Sequence, residues 1–362
     1  MIFSQTTRTE TSAKSYTEST FSHLDRSARP EYERIRALIT EWCDRVPDDE
    51  RHEFVQRITS GDDVAFHSAF LELYTHELLL ATRHTVTFHP ALPDTSKRPD
   101  FLATDASGNE SIVECTVATE DSDADRAAQS RLNTLCDSIN RVKSDDVFLN
   151  LRIDGTPNTP VSGRRWRKDI QRWVDSLDYE ALLAMGPSPN HAALPRLELE
   201  HDGVHVTIKP IPKKRSARGK GQRPIGIQSF QGCMVTSHNE IRETVRDKAG
   251  RYGLMSRPYI VVVNCLGPLA DEEEIHGAMF GHSGIWRDVD NPSHTRVSAV
   301  LALHHLLPWS IAVASARLFK NPNAVLPYAG PLGTLPQTTC NEDVDGTHPR
   351  EALQVDADWP HQ

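Results

Sequence analysis

The sequence has no paired cysteines, no apolar run long enough to cross a bilayer, and no excess of positive charge. Its six cysteines stand at 43, 115, 136, 233, 265 and 340, with no CxxC or CxH spacing among them. That excludes a zinc knuckle and, in a chain of 362 residues, argues against a disulfide scaffold. No stretch approaches the roughly 18 apolar residues of a membrane helix, and no apolar segment follows the first basic residues. A reducing, cytoplasmic setting is therefore expected. The formal net charge of −10 excludes a protein that is basic all over, so contact with nucleic acid would need local patches. GxSxG, HExxH, Walker and GxGxxG signatures are also missing, and with them the chemistries they carry.

What is present is a globular composition, 38% hydrophobic and 25% charged, with a mean hydropathy of −0.48. Residues 1–28 are rich in Ser, Thr and charge and are expected to form a disordered arm. Apolar residues at three and four residue spacing predict a helical segment over 29–62. Asp62 or Asp63 can cap a further helix, about 63–82, which is apolar around most of its circumference and so predicted to be buried on more than one side. Strands are predicted at 84–89, 99–105 and 111–118, then a helix at 123–143 and a buried strand, VFLNLRI, at 147–153. This order points to an α/β sheet flanked by helices. Beyond residue 155, Asp202-Gly203 predicts a hairpin between two alternating strands. EIRETVRDKAGRYG followed by PYIVVVNCLG predicts a second α/β unit, giving an α/β extension over 156–337. His304-His305 is read as lying in an apolar strand with one ring inward. The acidic end, 338–362, is expected to be a mobile tail.

Two acids interrupt the apolar strands, Asp100 in RPDFLA and Glu114 in SIVECTV. An isolated buried carboxylate is costly, and two on adjacent strands are most simply reconciled by one cation. Strand alternation places Glu114 and Thr116 on one side and Val113 and Cys115 on the other. Asp100, Glu114 and the backbone carbonyl of Cys115 make an oxygen set suited to Mg2+ or Mn2+. On the preceding helix, Glu72 and Glu77 could both face such a site. The bland alternatives are a solvated Glu72, a Glu77 paired with an arginine, and an acidic pair that is purely structural, capped by Arg98 or another arginine.

Pro99-Asp100, a turn, and an apolar strand carrying Glu114-Cys115-Thr116, after a Glu-bearing helix and before a helix and a further strand, resembles the PD-(D/E)xK nuclease superfamily over roughly residues 63–154. The resemblance implies a restriction-endonuclease-like mixed sheet flanked by helices, with a core at 63–155, and Mg2+-dependent hydrolysis of DNA, with RNA as the other substrate. Defence against foreign DNA or repair is the role it suggests, and a homodimer or a partner subunit would be in keeping. It implies Asp100 and Glu114 as metal ligands and Glu72 or Glu77 as a further ligand or orienting group. The family pattern has Lys where this chain has Thr116. A hydroxyl positions water but brings no positive charge, so either a lysine has moved or activity is lost. Lys248 is the preferred replacement, ahead of Lys143, because its helix leads directly into a strand. Without turnover the same fold would serve as a module that binds nucleic acid or a partner protein.

Positive charge gathers in two places. Residues 209–223 hold seven basic side chains and no acidic one, and Lys213, Lys214, Arg215, Arg218 and Lys220 are expected to contact phosphates there. Arg164, Arg165 and Arg167 on the helix after residue 163 would extend the same track. The bland reading of each run is a solvated segment.

Overall fold

The computed structural model describes residues 2–93, 95–118, 123–186, 194–220, 223–231, 237–253, 255–267, 270–287, 291–330 and 332–360. In chain order, α1 (Thr20–Arg26), α2 (Pro30–Arg45), α3 (Asp48–Thr59) and α4 (Asp63–Ala81) precede β1 (Thr85–Phe88), β2 (Phe101–Thr104) and β3 (Glu110–Ala118). Next come α5 (Asp123–Ile139), β4 (Val147–Gly155), α6 (Gly163–Asp175), α7 (Tyr179–Ala184), β5 (Leu197–His201), β6 (Val204–Pro212) and β7 (Ile225–Gln231). The chain closes with α8 (Ser237–Ala249), β8 (Tyr259–Cys265), α9 (Glu272–Phe280), β9 (Ala299–His304), β10 (Ser315–Lys320), β11 (Gln337–Thr338), β12 (Asp343–Val344) and α10 (Pro349–Ala352). The class is α/β, as expected.

The chain divides into two compact units. One comprises residues 2–13, 19–118 and 237–360; the other comprises 14–18 and 123–231. The first is built on a mixed sheet of order β1-β2-β3-β8-β9-β10-β11-β12. β1, β2 and β3 form an antiparallel meander, and β3, β8 and β9 run parallel. β8 (YIVVVNC) is buried along its whole length, as a strand covered on both faces must be. On one face Phe70, Leu73 and Tyr74 of α4 cluster with Phe101, Val113 and Cys115. On the other, Ile241 and Val245 of α8 cluster with Ile112, Val261 and Val263. β3 is thereby clamped between two helices. Helix α4 starts where Asp62 accepts the Val64 N–H at 2.8 Å, satisfying a donor that the first turn leaves open.

The second unit is a sheet of order β5-β6-β4-β7, with its own core of Leu149, Leu151, Val206 and Ile208 against Trp166 and Ile170 of α6. Its hairpin turns at Asp202 and Gly203, whose φ angles are 21° and 87°. Gly203 cannot be replaced there without contact, because an added Cβ would lie 2.7 Å from the Thr156 carbonyl.

The structure departs from the sequence-based expectations in four places. The helix and strand expected to complete the first sheet, now α5 and β4, belong to the second unit. The parallel neighbour of β3 is instead β8, reached through α8, so the expected 63–155 core and 156–337 extension are redivided. Residues 2–28 are not a disordered arm: Ile2 and Phe3 are buried, Ser19 caps α1 by accepting the Ser22 N–H, and Asp25 accepts from the Ser4 N–H at 2.8 Å. The tail after Gln337 carries β11, β12 and α10, and Trp359 Nε1 donates to the Pro308 carbonyl at 3.0 Å. Finally, His304 ends β9 and His305 turns away with φ 51°, so neither ring enters the core.

Candidate active site

The antiparallel register of β2 and β3 pairs Phe101 with Val113. One step further along the same ladder brings Asp100 opposite Glu114. The backbone binds the two strands at this point, since the Cys115 N–H donates to Asp100 Oδ2 at 2.6 Å. Asp100 and Glu114 therefore meet by strand pairing, and Thr116 follows Glu114 on the same face of β3.

Glu114 is buried, with 2% of its side chain exposed. Three donors from the end of α8 and the turn after it reach it. Lys248 Nζ donates to Oε1 at 2.8 Å, the Tyr252 hydroxyl donates to Oε2, and Arg251 Nε lies 3.5 Å from Oε1. The Tyr252 hydroxyl also lies 3.2 Å from the Arg98 carbonyl. Burial, and then the hydrogen bond to Glu114 and its charge, raise the Tyr252 phenol, which keeps it protonated and able to donate. The i, i+3, i+4 spacing of residues 248, 251 and 252 runs from the end of α8 into the turn that follows it, where the Arg251 N–H donates to the Lys248 carbonyl at 3.1 Å. That spacing was available in the sequence, yet only Lys248 was singled out from it; Tyr252 and Arg251 were missed.

Glu72 comes from α4 and is buried rather than solvated; its Oε2 lies 2.7 Å from Arg57 Nη2 of α3. Burial pushes its carboxyl up to about 8, with the charge of Asp100 as the second cause and Glu114 a further one. Burial, and then Glu114, push Asp100 up to about 6. Glu72 and Asp100 are thus both pushed up, first by burial and then by the negative charges near them. Glu77 is not part of this group. It pairs with Arg45 of α2 and lies 3.2 Å from His76 Nδ1, so the arginine-paired alternative describes it and a ligand role does not.

Among the described residues, no three His, Cys, Asp or Glu side chains stand ready at ligand spacing. Glu114 leans on its cationic partners instead. The chemistry of the donors nevertheless fits a hard divalent cation: carboxylate oxygens whose mutual repulsion such an ion would relieve. Asp100 and Glu114, with the Cys115 carbonyl, are the residues that would hold it.

The expected phosphate contacts lie in the second unit and divide. Lys213 is 1% exposed, its Nζ donating to the Ser144 carbonyl at 2.6 Å and lying 4.8 Å from the Phe148 ring centroid. A buried, satisfied ammonium is not a surface contact, which removes Lys213 from the set. Arg215 pairs with Glu180 at 2.7 Å and Arg218 with Asp146 at 2.6 Å. Lys214, Lys220, Arg164 and Arg165 are exposed and Arg167 is half-buried on α6, with Arg165 3.9 Å from Asp169. Lys143, the alternative lysine, is also in this unit, its backbone bracketed by Gln171. Of the cysteines, Cys43, Cys115, Cys136 and Cys265 are buried thiols and Cys340 is exposed; Cys233 lies outside the described residues.

Compared with known proteins, the chain matches no family model, no curated protein and no solved structure.

Proposed function

We propose that the protein is a Mg2+- or Mn2+-dependent nuclease of the PD-(D/E)xK type, acting on DNA or RNA phosphodiesters, in which Lys248 takes the part of the lysine missing at Thr116. The observation that carries this reading is the 2.8 Å contact between Lys248 Nζ and Glu114 Oε1. An ammonium beside Glu114 is the positive charge that Thr116 does not bring, which supports the reading. The restriction-endonuclease-like frame is then completed by α8 and β8, with α5 to β7 inserted between β3 and that crossover.

In this reading Asp100, Glu114 and the Cys115 carbonyl hold the cation, which when bound supplies charge neutralisation at the phosphate and acidification of a water. Lys248 orients the attacking water and offsets charge that builds on the phosphate oxygens. Tyr252 holds the Glu114 carboxylate by its second oxygen. Glu72, kept in place by Arg57, supports Asp100 from the opposite face of the sheet. Arg251, whose side chain is 42% exposed, is placed to meet an incoming phosphate.

One observation favours a second reading. Both Glu114 oxygens already have partners, so the cluster could serve as a self-contained buried ion network in a module that binds nucleic acid or protein without turnover. Plasmid DNA and a single-stranded RNA incubated with Mg2+ or Mn2+ decide between the two. Cleavage by wild type that Asp100→Ala abolishes supports the nuclease. Cleavage that survives Asp100→Ala, or binding with no cleavage under either metal, would overturn it.

A further inference from the structure

A cavity opens beside the acidic centre. Its volume is about 230 Å³, and it is lined by Leu92, Pro93, Ile112, Tyr252, Met255 and Arg257. Two of these residues tie it to the site. Tyr252 holds Glu114 through its hydroxyl and is also one of the residues that line the cavity. Ile112 precedes Glu114 by two positions on β3, so both side chains project from the same face, about 7 Å apart along the strand.

The chemistry of the cavity is the opposite of its neighbour's. The acidic centre is made of charge; the cavity is more apolar than polar, with Thr95 and Ser256 also among its lining residues. Among its lining residues the one cation, Arg257, is paired with Glu110, whereas Arg251, 3.5 Å from Glu114 Oε1 and next to Tyr252 in the chain, is 42% exposed. A ligand that suits both therefore carries an anionic group joined by a short linkage to a flat, mostly apolar body with a few polar atoms on its rim. A nucleotide with its base unstacked has that form.

Resting on the nuclease reading, we infer that this cavity receives one unpaired nucleobase next to the phosphate that Arg251 meets beside Glu114, so that the substrate is single-stranded, or is frayed or flipped at the cut. A base within a duplex is stacked on both sides and presents only its edge; it cannot enter a pocket walled by Leu92, Met255 and Tyr252. Enzymes that need such access act on single strands or extrude the nucleotide, and apolar or aromatic walls then hold the exposed ring face. The absence of a dense hydrogen-bonding lining implies weak preference among bases.

The test uses the full chain and a fluorescein-labelled oligonucleotide, single-stranded or annealed to its complement. Binding is measured by anisotropy in Ca2+ and cleavage in Mn2+, with Met255→Trp filling the cavity from one wall and Leu92→Trp from another. Wild type is expected to bind and cut the single strand at least tenfold better than the duplex. Each filled variant that keeps the wild-type melting temperature should bind the single strand about tenfold more weakly, as loss of one stacked base implies, with duplex binding unchanged. Equal binding by either well-folded variant, or a wild-type preference for duplex, would overturn the cavity assignment. Absence of cleavage by wild type on both substrates would sink the nuclease reading instead, while the anisotropy comparison still decides the pocket.

Discussion

Lys248 and Glu114 are 134 positions apart in the chain and 2.8 Å apart in the fold. Helix α8 brings them together by packing across β3 and β8, so the contact depends on the parallel pairing of those strands and not on any local motif. If Lys248 does the work of the lysine absent at Thr116, then Lys248→Ala should lower kcat by about 10²-fold or more while KM changes little. Thr116 is half-buried on the same face of β3 as Glu114. Adding Thr116→Lys to Lys248→Ala should therefore restore part of the lost rate. Single-turnover cleavage by the two variants checks this, and a double variant no better than the single one would count against a migrated lysine.

Breaking the same pair should also be felt in stability. Lys248→Met leaves a carboxylate that is 2% exposed with Tyr252 and a more distant Arg251 as its remaining partners. Removing one member of a buried pair typically costs about 3–5 kcal/mol, reduced here because Arg251 remains. Urea denaturation at pH 8 in EDTA should show a midpoint well below wild type. Glu114→Gln added to Lys248→Met should recover part of the loss, since no unpaired charge is then left at position 114.

How the fold could be read in advance depended on whether the signal was local. β3 was legible because Glu114 breaks an apolar alternation, and α4 because it is apolar nearly all round. The hairpin at Asp202-Gly203 was legible because the turn demands positive φ. The placement of β4 was not. VFLNLRI carries the pattern of a buried strand, but periodicity says only that both faces are covered, not by which sheet. β4 therefore took the position that pairing gives to β8. Lys213 was misread for a related reason. A run of charge suggests solvation of every member, yet the Lys213 ammonium lies over the Phe148 ring and is spent on the Ser144 carbonyl. In the first residues, composition concealed Ile2 and Phe3, two apolar side chains in a polar stretch that Asp25 ties down through Ser4 and Arg8.

The crowded acids set a pH dependence. Glu72 and Asp100 have folded-state pKa values of about 8 and about 6, above their ordinary 4.5 and 3.8. The folded chain thus holds these protons more tightly than the unfolded one. Below about pH 4 both states are protonated and nothing is gained. As pH rises toward about 8, ionisation disfavours the folded state and stability falls. The difference between Glu72→Gln and wild type isolates this contribution, because other groups cancel. In EDTA, Glu72→Gln should gain stability relative to wild type as pH rises from 5 to 8.5. A difference that does not vary with pH would contradict the crowding. Mn2+ should reverse the wild-type trend by binding the ionised acids, raising the melting temperature more at pH 8 than at pH 5.

Glu77 is a control built into the same helix. It lies five residues from Glu72, but its carboxylate is held by Arg45 and His76, away from Asp100 and Glu114. Glu77→Gln should leave cleavage within about twofold of wild type while lowering the melting temperature, whereas Glu72→Gln should reduce cleavage at least tenfold. Equal losses from both would mean that α4 contributes only through packing.

The basic residues of the second unit make a prediction that separates surface charge from structure. Each phosphate contact contributes close to one unit of slope when log K is plotted against log salt, and a buried cation contributes none. Arg164 and Arg165 are exposed on α6, and Lys214 and Lys220 follow β6 with their side chains in solvent. Neutralising these four should flatten the salt dependence of oligonucleotide binding by about three to four units if all of them touch phosphate. Lys213→Met should leave the slope unchanged. It should still destabilise the unit, because the Ser144 carbonyl loses its donor and the Tyr179 hydroxyl, which donates to the Lys213 carbonyl at 2.9 Å, anchors the same turn. Arg215 and Arg218 fall between these cases, since Glu180 and Asp146 already neutralise them. Replacing those two acids with Asn or Gln should therefore tighten binding at low salt. A slope indifferent to all four exposed residues would move the nucleic-acid contact off this unit altogether and onto the residues around Glu114.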